Sequence, residues 1–143
     1  MSIVKSGSAT YKPLGKKGKG SISTETGALS SHPYGFNTRF EDGKGSNPEE
    51  LIGAAHASCF TMALSLALAD AGYEDGELKT TAKISLDKTD DGFKISQSAL
   101  SLSATVEGIS EDEFAKIAQE AKANCPVSKL LDTKITLEFD LSA

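Results

Sequence analysis

The chain has no tryptophan, and aromatic residues make up only 6% of its 143 positions. Its core must therefore be assembled mainly from Leu, Ile, Val and Ala. Cysteine is equally scarce, with only Cys59 and Cys125. Two thiols are too few to staple a small secreted scaffold, so each is either an inert buried side chain or a reactive thiol. Histidine is limited to His32 and His56, 24 positions apart and without metal-ligand spacing to either cysteine, which argues against a zinc site built from the four. Basic residues do not prevail: 15 Lys and Arg against 20 Asp and Glu leave a net charge of −5. A nucleic-acid partner, which would want a clustered basic face, is not expected. The one basic cluster, Lys16, Lys17 and Lys19, sits among Gly15, Gly18 and Gly20 and reads as a solvated turn. Met1–Ser8 carry no apolar stretch of the length a signal peptide needs, so a cytoplasmic location is expected. There is no Gly-Xaa-Ser-Xaa-Gly elbow, no P-loop, no dinucleotide fingerprint and no internal repeat.

What is present suits one ordinary globular protomer over residues 1–143, with 38% hydrophobic and 24% charged residues. Residues 2–30 read as N-terminal strands: a hairpin of 2–11 and 19–25, then a short strand near Ala28. Residues 31–46, with Pro33, Gly35, Asn37, Gly43 and Gly45, form a long, turn-rich loop of the kind that carries active-site residues. A helix is predicted over 48–71, where Asn47 is the N-cap, Pro48 takes the first position, Glu50 completes a capping-box-like pattern and Gly72 stops it. Residues 75–143 supply further strands and a helix. A hairpin of 78–88 and 93–106 turns at Asp90-Asp91-Gly92, and an amphipathic helix over 111–123 is capped by Ser110. A short turn over 126–131 follows Pro126, and a final strand alternates over 134–141. The order implies an α+β fold of antiparallel sheets packed around a long central helix.

Between Leu51 and Ala69 that helix has nineteen residues without Asp, Glu, Lys or Arg, long enough to raise a membrane span. Its many Ala and Ser residues, its caps at both ends and the lack of flanking Lys or Arg favour a buried protein helix and no membrane partner. Cys59 lies mid-helix, where a free cysteine is commonly a small buried hydrophobe. Cys125 precedes Pro126 and so caps the following turn, where free backbone N–H groups would stabilise a thiolate. On position alone Cys125 is the better candidate for a lowered pKa. His56, three positions before Cys59, shares a helix face with it and reads either as a general base or as a packed interface residue.

The segment Asn47-Pro-Glu-Glu-Leu-Ile-Gly-Ala-Ala-His-Ala-Ser-Cys59-Phe, followed downstream by Asn124-Cys-Pro-Val-Ser, resembles the OsmC/Ohr family of osmotically inducible and organic-hydroperoxide-resistance proteins. The stretch Tyr34-Gly-Phe-Asn-Thr-Arg39-Phe is similar to the OsmC side of that family, and the resemblance covers essentially the whole chain. It implies an intertwined homodimer and a thiol peroxidase that reduces organic hydroperoxides, and hydrogen peroxide more weakly. It implies that Cys59 is the peroxidatic thiol, that Cys125 is the resolving thiol that closes a disulfide with it, and that Arg39 and Glu49 complete the site. It implies no bound metal, haem or flavin, and an external dithiol reductant, with a lipoylated protein as the family's suggestion. Glu49 and Cys59 stand ten positions apart on one predicted helix, about 15 Å along its axis. If they act together, Glu49 comes from a partner subunit or the helix breaks. Phe36, Phe40, Phe60 and Met62 are the apolar candidates for a pocket around the peroxide. Two other readings stand beside the peroxidase. One is a non-enzymatic, stress-induced dimer that binds a small apolar ligand. The other is a general thiol–disulfide oxidoreductase, against which the lack of a Cys-Xaa-Xaa-Cys motif counts.

Overall fold

A computed structural model describes all residues 1–143. The chain divides into two compact units, Met1–Leu51 and Ile52–Ala143.

In the first unit, β1 (Gly7–Lys12), β2 (Lys19–Thr24) and β3 (His32–Tyr34) form an antiparallel sheet in that order. Gly18 closes the β1–β2 turn where a side chain does not fit: a Cβ there would lie 2.0 Å from the Pro13 carbonyl and 2.3 Å from the Tyr11 ring. The third strand lies a few residues beyond the expected position near Ala28. The segment read as a loop over 31–46 also holds a one-turn helix, α1 (Phe36–Phe40). A five-residue helix has too little periodicity to be read from sequence. It is held by the buried Thr38 hydroxyl, which bonds both the amide and the carbonyl of Gly35.

The long helix α2 (Pro48–Asp70) starts and stops as its sequence dictates. Asn47 Oδ1 accepts the Glu50 amide at 2.8 Å, and Asn47 Nδ2 donates to the Glu50 carboxylate at 3.2 Å. At the other end Gly72 has φ +97°, its amide donates to the Ala69 carbonyl, and the Tyr73 amide donates to the Leu68 carbonyl. This Schellman motif satisfies carbonyls that the helix end would otherwise leave unpaired.

In the second unit, β4 (Gly76–Thr89) and β5 (Gly92–Val106) pair antiparallel through the Asp90–Asp91 turn, with a register shift at Ser85/Leu86. Then come α3 (Glu111–Asn124), capped by the Ser110 hydroxyl, α4 (Pro126–Leu130) and β6 (Lys134–Ser142). The fold is α+β, but its second sheet is not wholly antiparallel: β6 runs parallel to β5, from Gln97↔Lys134 to Thr105↔Ser142. The physical reason is the connection. After Val106 the chain returns through α3 and α4, a helical crossover long enough to re-enter the sheet in the same direction. Strand periodicity carries no direction, which is why alternation over 134–141 could not reveal it.

The core of this unit lies between α2, α3 and the inner face of β5. Phe60, Leu64 and Leu68 pack with Leu100, Leu102, Ala104, Val106, Phe114 and Ala118, all at most 4% exposed. Only one face of α2 is buried in this way, through Gly53, His56, Phe60, Leu64 and Leu68. The opposite face is open: Met62 is 66% and Leu66 61% exposed, beside Ala54, Ser58 and Ser65. By length and composition α2 meets the requirement of a membrane span.

Candidate active site

Four residues were expected to carry chemistry, and the structure joins them as two pairs. In the first unit, Arg39 at the end of α1 meets Glu49 in the first turn of α2. Its Nε donates to Oε1 and one Nη to Oε2, both at 3.0 Å. The fork is bidentate, the geometry that holds a guanidinium in one plane. Glu49 is 8% exposed, while the Arg39 side chain keeps 37% of its surface. The carboxylate is thus an anchor, and the guanidinium has surface left for a further partner. Arg39 also lies over the Phe40 ring, 5.2 Å from its centroid. Tyr11, Tyr34, Phe36, Phe40, Arg39 and Pro48 border an apolar pocket of about 390 Å³ within this unit.

In the second unit, Cys59 on α2 and Cys125 at the N-cap of α4 are free thiols hydrogen-bonded to each other. Cys59 is half-buried and Cys125 has no exposed surface. Burial pushes the Cys59 thiol up from its ordinary value, and its contact with Cys125 adds to this against the opposing Val127 amide. Burial also opposes ionisation of Cys125, but the Ser128 amide, the Cys59 thiol, the Ser128 hydroxyl and the Val127 amide together bring it below its ordinary value. The pair thus favours a Cys125 thiolate that accepts a hydrogen bond from the Cys59 thiol, held by the first amides of α4. This is the environment expected from Cys125 preceding Pro126.

His56 is not an interface residue. It is fully buried inside the second unit, with Nδ1 2.6 Å from Ser98 Oγ and Nε2 2.8 Å from Ser128 Oγ. Burial lowers its pKa and keeps the ring neutral. Ser98 and Ser128 escaped the sequence reading. The signal for Ser98 was its place on the same alternating face of β5 as Leu100, Leu102 and Ala104. The signal for Ser128 was its place three residues after the capping Cys125.

Of the apolar pocket candidates, Phe36 and Phe40 line the first-unit pocket, with ring centroids 4.9 Å apart. Phe60 is core, fully buried, and Met62 lies on the open face of α2. His32 is exposed on β3, and no three His, Cys, Asp or Glu side chains gather into a metal-binding group.

Comparison with known proteins places the chain in a family. Residues 41–140 match the family of OsmC-like proteins. The chain is 54% identical to peroxiredoxin OsmC of Escherichia coli over 143 residues, the full length of both. It is 32% identical over 105 residues, 72% of each chain, to organic hydroperoxide resistance protein-like 2 of Staphylococcus epidermidis. Its fold superposes on the crystal structure of an organic hydroperoxide resistance protein from Elizabethkingia anophelis with a TM-score of 0.66 and 26% identity, over 99% of both chains. With residues 41–140 matching the family's pattern and a full-length relative at 54% identity, the chain belongs to the OsmC-like protein family.

Proposed function

We propose that this chain is a cytoplasmic thiol-dependent peroxidase that reduces organic hydroperoxides, and hydrogen peroxide more weakly. The observation that carries the reading is the Cys59–Cys125 pair: two free thiols in hydrogen-bond contact, one reachable and one sealed, beside a helix N-terminus. Relatives named peroxiredoxin OsmC and organic hydroperoxide resistance protein support it.

Exposure supports a division of roles between the two thiols. Cys125 is the more acidic thiol but cannot meet a peroxide, whereas Cys59 can. Attack therefore requires the shared proton to move to Cys125, leaving the charge on Cys59. A guanidinium beside Cys59 drives that shift, and Arg39, oriented by Glu49, is the group that supplies it. The helix α2 is unbroken from Pro48 to Asp70, so no kink carries Glu49 to Cys59. The reading takes the Arg39–Glu49 pair of one subunit to the Cys59 of its partner in an intertwined homodimer of 143-residue protomers. The open apolar face of α2 supports such an interface.

The Cys59 thiolate attacks the distal peroxide oxygen, the O–O bond breaks, and the alkoxide leaves and takes up a proton as alcohol. Cys59 becomes a sulfenic acid. The Cys125 sulfur then attacks the Cys59 sulfur, the S–O bond breaks, and hydroxide leaves with a proton as water. An external dithiol, of the lipoyl type, returns two electrons and two protons to the disulfide. The aromatic pocket beside Arg39 fits the organic part of the substrate. The test is consumption of tert-butyl hydroperoxide with dihydrolipoamide by the parent and by Cys59→Ser. Turnover in the parent alone is expected, and equal rates would instead support a ligand-binding dimer, for which the same pocket is the binding site.

A further inference from the structure

We propose that His56 is a positioning residue for the buried thiol, acting through Ser128 to hold Cys125 as the hydrogen-bond acceptor. Protons can be counted along a linear chain of contacts. Ser98 Oγ meets His56 Nδ1 at 2.6 Å, His56 Nε2 meets Ser128 Oγ at 2.8 Å, and the Ser128 hydroxyl bonds Cys125. No buried polar side-chain atom in the protein lacks a partner.

A neutral imidazole has one N–H and one acceptor nitrogen, and each serine has one proton to donate. If Nε2 carries the proton, it donates to Ser128 Oγ, which frees the Ser128 proton for Cys125. Nδ1 then accepts from Ser98. If Nδ1 carries the proton, it donates to Ser98, Nε2 takes the Ser128 proton, and Ser128 can only accept from a Cys125 S–H. The tautomer of His56 and the protonation of Cys125 are therefore coupled, while the Ser98 hydroxyl, which can donate to Nδ1 or accept from it, satisfies either tautomer.

The groups around Cys125 leave this path without a charged competitor. Cys59 and His56, both from α2, are the titratable groups bonded to it directly or through Ser128. Lys122 of α3 donates to the Ile135 carbonyl, Lys129 of α4 is exposed, and Glu138 of β6 accepts from Ser101. The consequence for the proposed peroxidase is that the resolving thiol is held ready as a nucleophile. That consequence rests on the peroxidase reading, whereas the titration that tests the coupling does not.

The experiment uses the full chain with Cys59→Ser, which leaves Cys125 as the sole thiol and keeps a hydroxyl to donate to it. The Cys125 thiolate is titrated by its ultraviolet absorbance, without peroxide. Adding Ser128→Ala is expected to raise the midpoint by about one pH unit, roughly tenfold less thiolate at a given pH. Ser128→Thr is expected to restore it, and the imidazole nitrogen shifts of His56 are expected to show an Nε2–H ring above the midpoint. A shift in Ser128→Ala with the ring held as Nδ1–H above the midpoint would confine the effect to the serine and overturn the role of His56. An unchanged midpoint in Ser128→Ala would overturn the coupling altogether. If Ser128→Ala does not fold, the His56 tautomer across the Cys125 titration decides alone. Every variant carries Cys59→Ser and the midpoint is read without turnover, so the two readings fail separately.

Discussion

Replacing Glu49 by Gln isolates what the Arg39–Glu49 fork contributes. Glutamine keeps the shape and one acceptor oxygen, but its NH2 group faces a guanidinium N–H where the second oxygen had accepted at 3.0 Å. One of two charge-assisted bonds is lost, and the other becomes a bond to a neutral oxygen. Because the Arg39 side chain is 37% exposed, water takes over much of its hydration, and the stability cost is discounted to about 1 kcal/mol. That corresponds to a fall in Tm of roughly 2–5 °C. The effect on turnover is larger, because a guanidinium released from its plane no longer sits where charge develops. A misplacement on the order of 1 Å costs roughly 100-fold. We therefore expect kcat/KM for tert-butyl hydroperoxide to fall about 100-fold while circular dichroism shows the chain folded at the assay temperature. In the double-mutant cycle, Arg39→Ala with Glu49→Gln should be no worse than Arg39→Ala alone, since Glu49 acts only through Arg39. A Glu49→Gln protein within about twofold of the parent, or additive losses in the cycle, would refute the orienting role.

Other outcomes test other parts of the site. Cys125→Ser should consume one peroxide per chain and then stall, and excess peroxide should carry Cys59 to the sulfinic and sulfonic acids, read by intact mass. Sustained turnover with dithiol would remove Cys125 from the cycle. Met62→Glu with Leu66→Glu places charge on the open face of α2 and should convert a dimer into monomers by sedimentation; an unchanged mass would move the interface elsewhere. Burial lowers the His56 pKa, so below its ordinary value of about 6.5 the unfolded chain binds more protons than the folded one. Stability should then be lost as pH falls from about 6.5, by up to about 1.4 kcal/mol per pH unit, in urea titrations. His56→Gln should flatten that slope.

Much of the fold was readable because helix ends are local problems. Asn47 and Glu50 are three residues apart and settle the start of α2 between themselves, as Ser110 and Glu113 do for α3. Gly72 ends α2 because a left-handed residue is needed there, and the capping place of Cys125 follows from Pro126. The direction of β6 was not readable. It depends on where α3 and α4 deliver the chain, whereas alternation reports only which face each residue takes. Similarly, α2 looks apolar on every side in sequence, yet within one chain only its Gly53–His56–Phe60–Leu64–Leu68 face is covered.

The site divides in the same way. The chemical identities of Cys59, Cys125, Arg39 and Glu49, the cap that acidifies Cys125 and the helix that carries Cys59 are determined by the sequence, because each depends on residue type and near neighbours. Tertiary structure decided which of these groups meet. It brought Cys125 onto Cys59 across 66 residues of chain, closed Arg39 onto Glu49, and set His56 between Ser98 and Ser128. Those meetings depend on how a sheet and its crossover helices pack a shared core, a cooperative outcome that no local run of residues encodes.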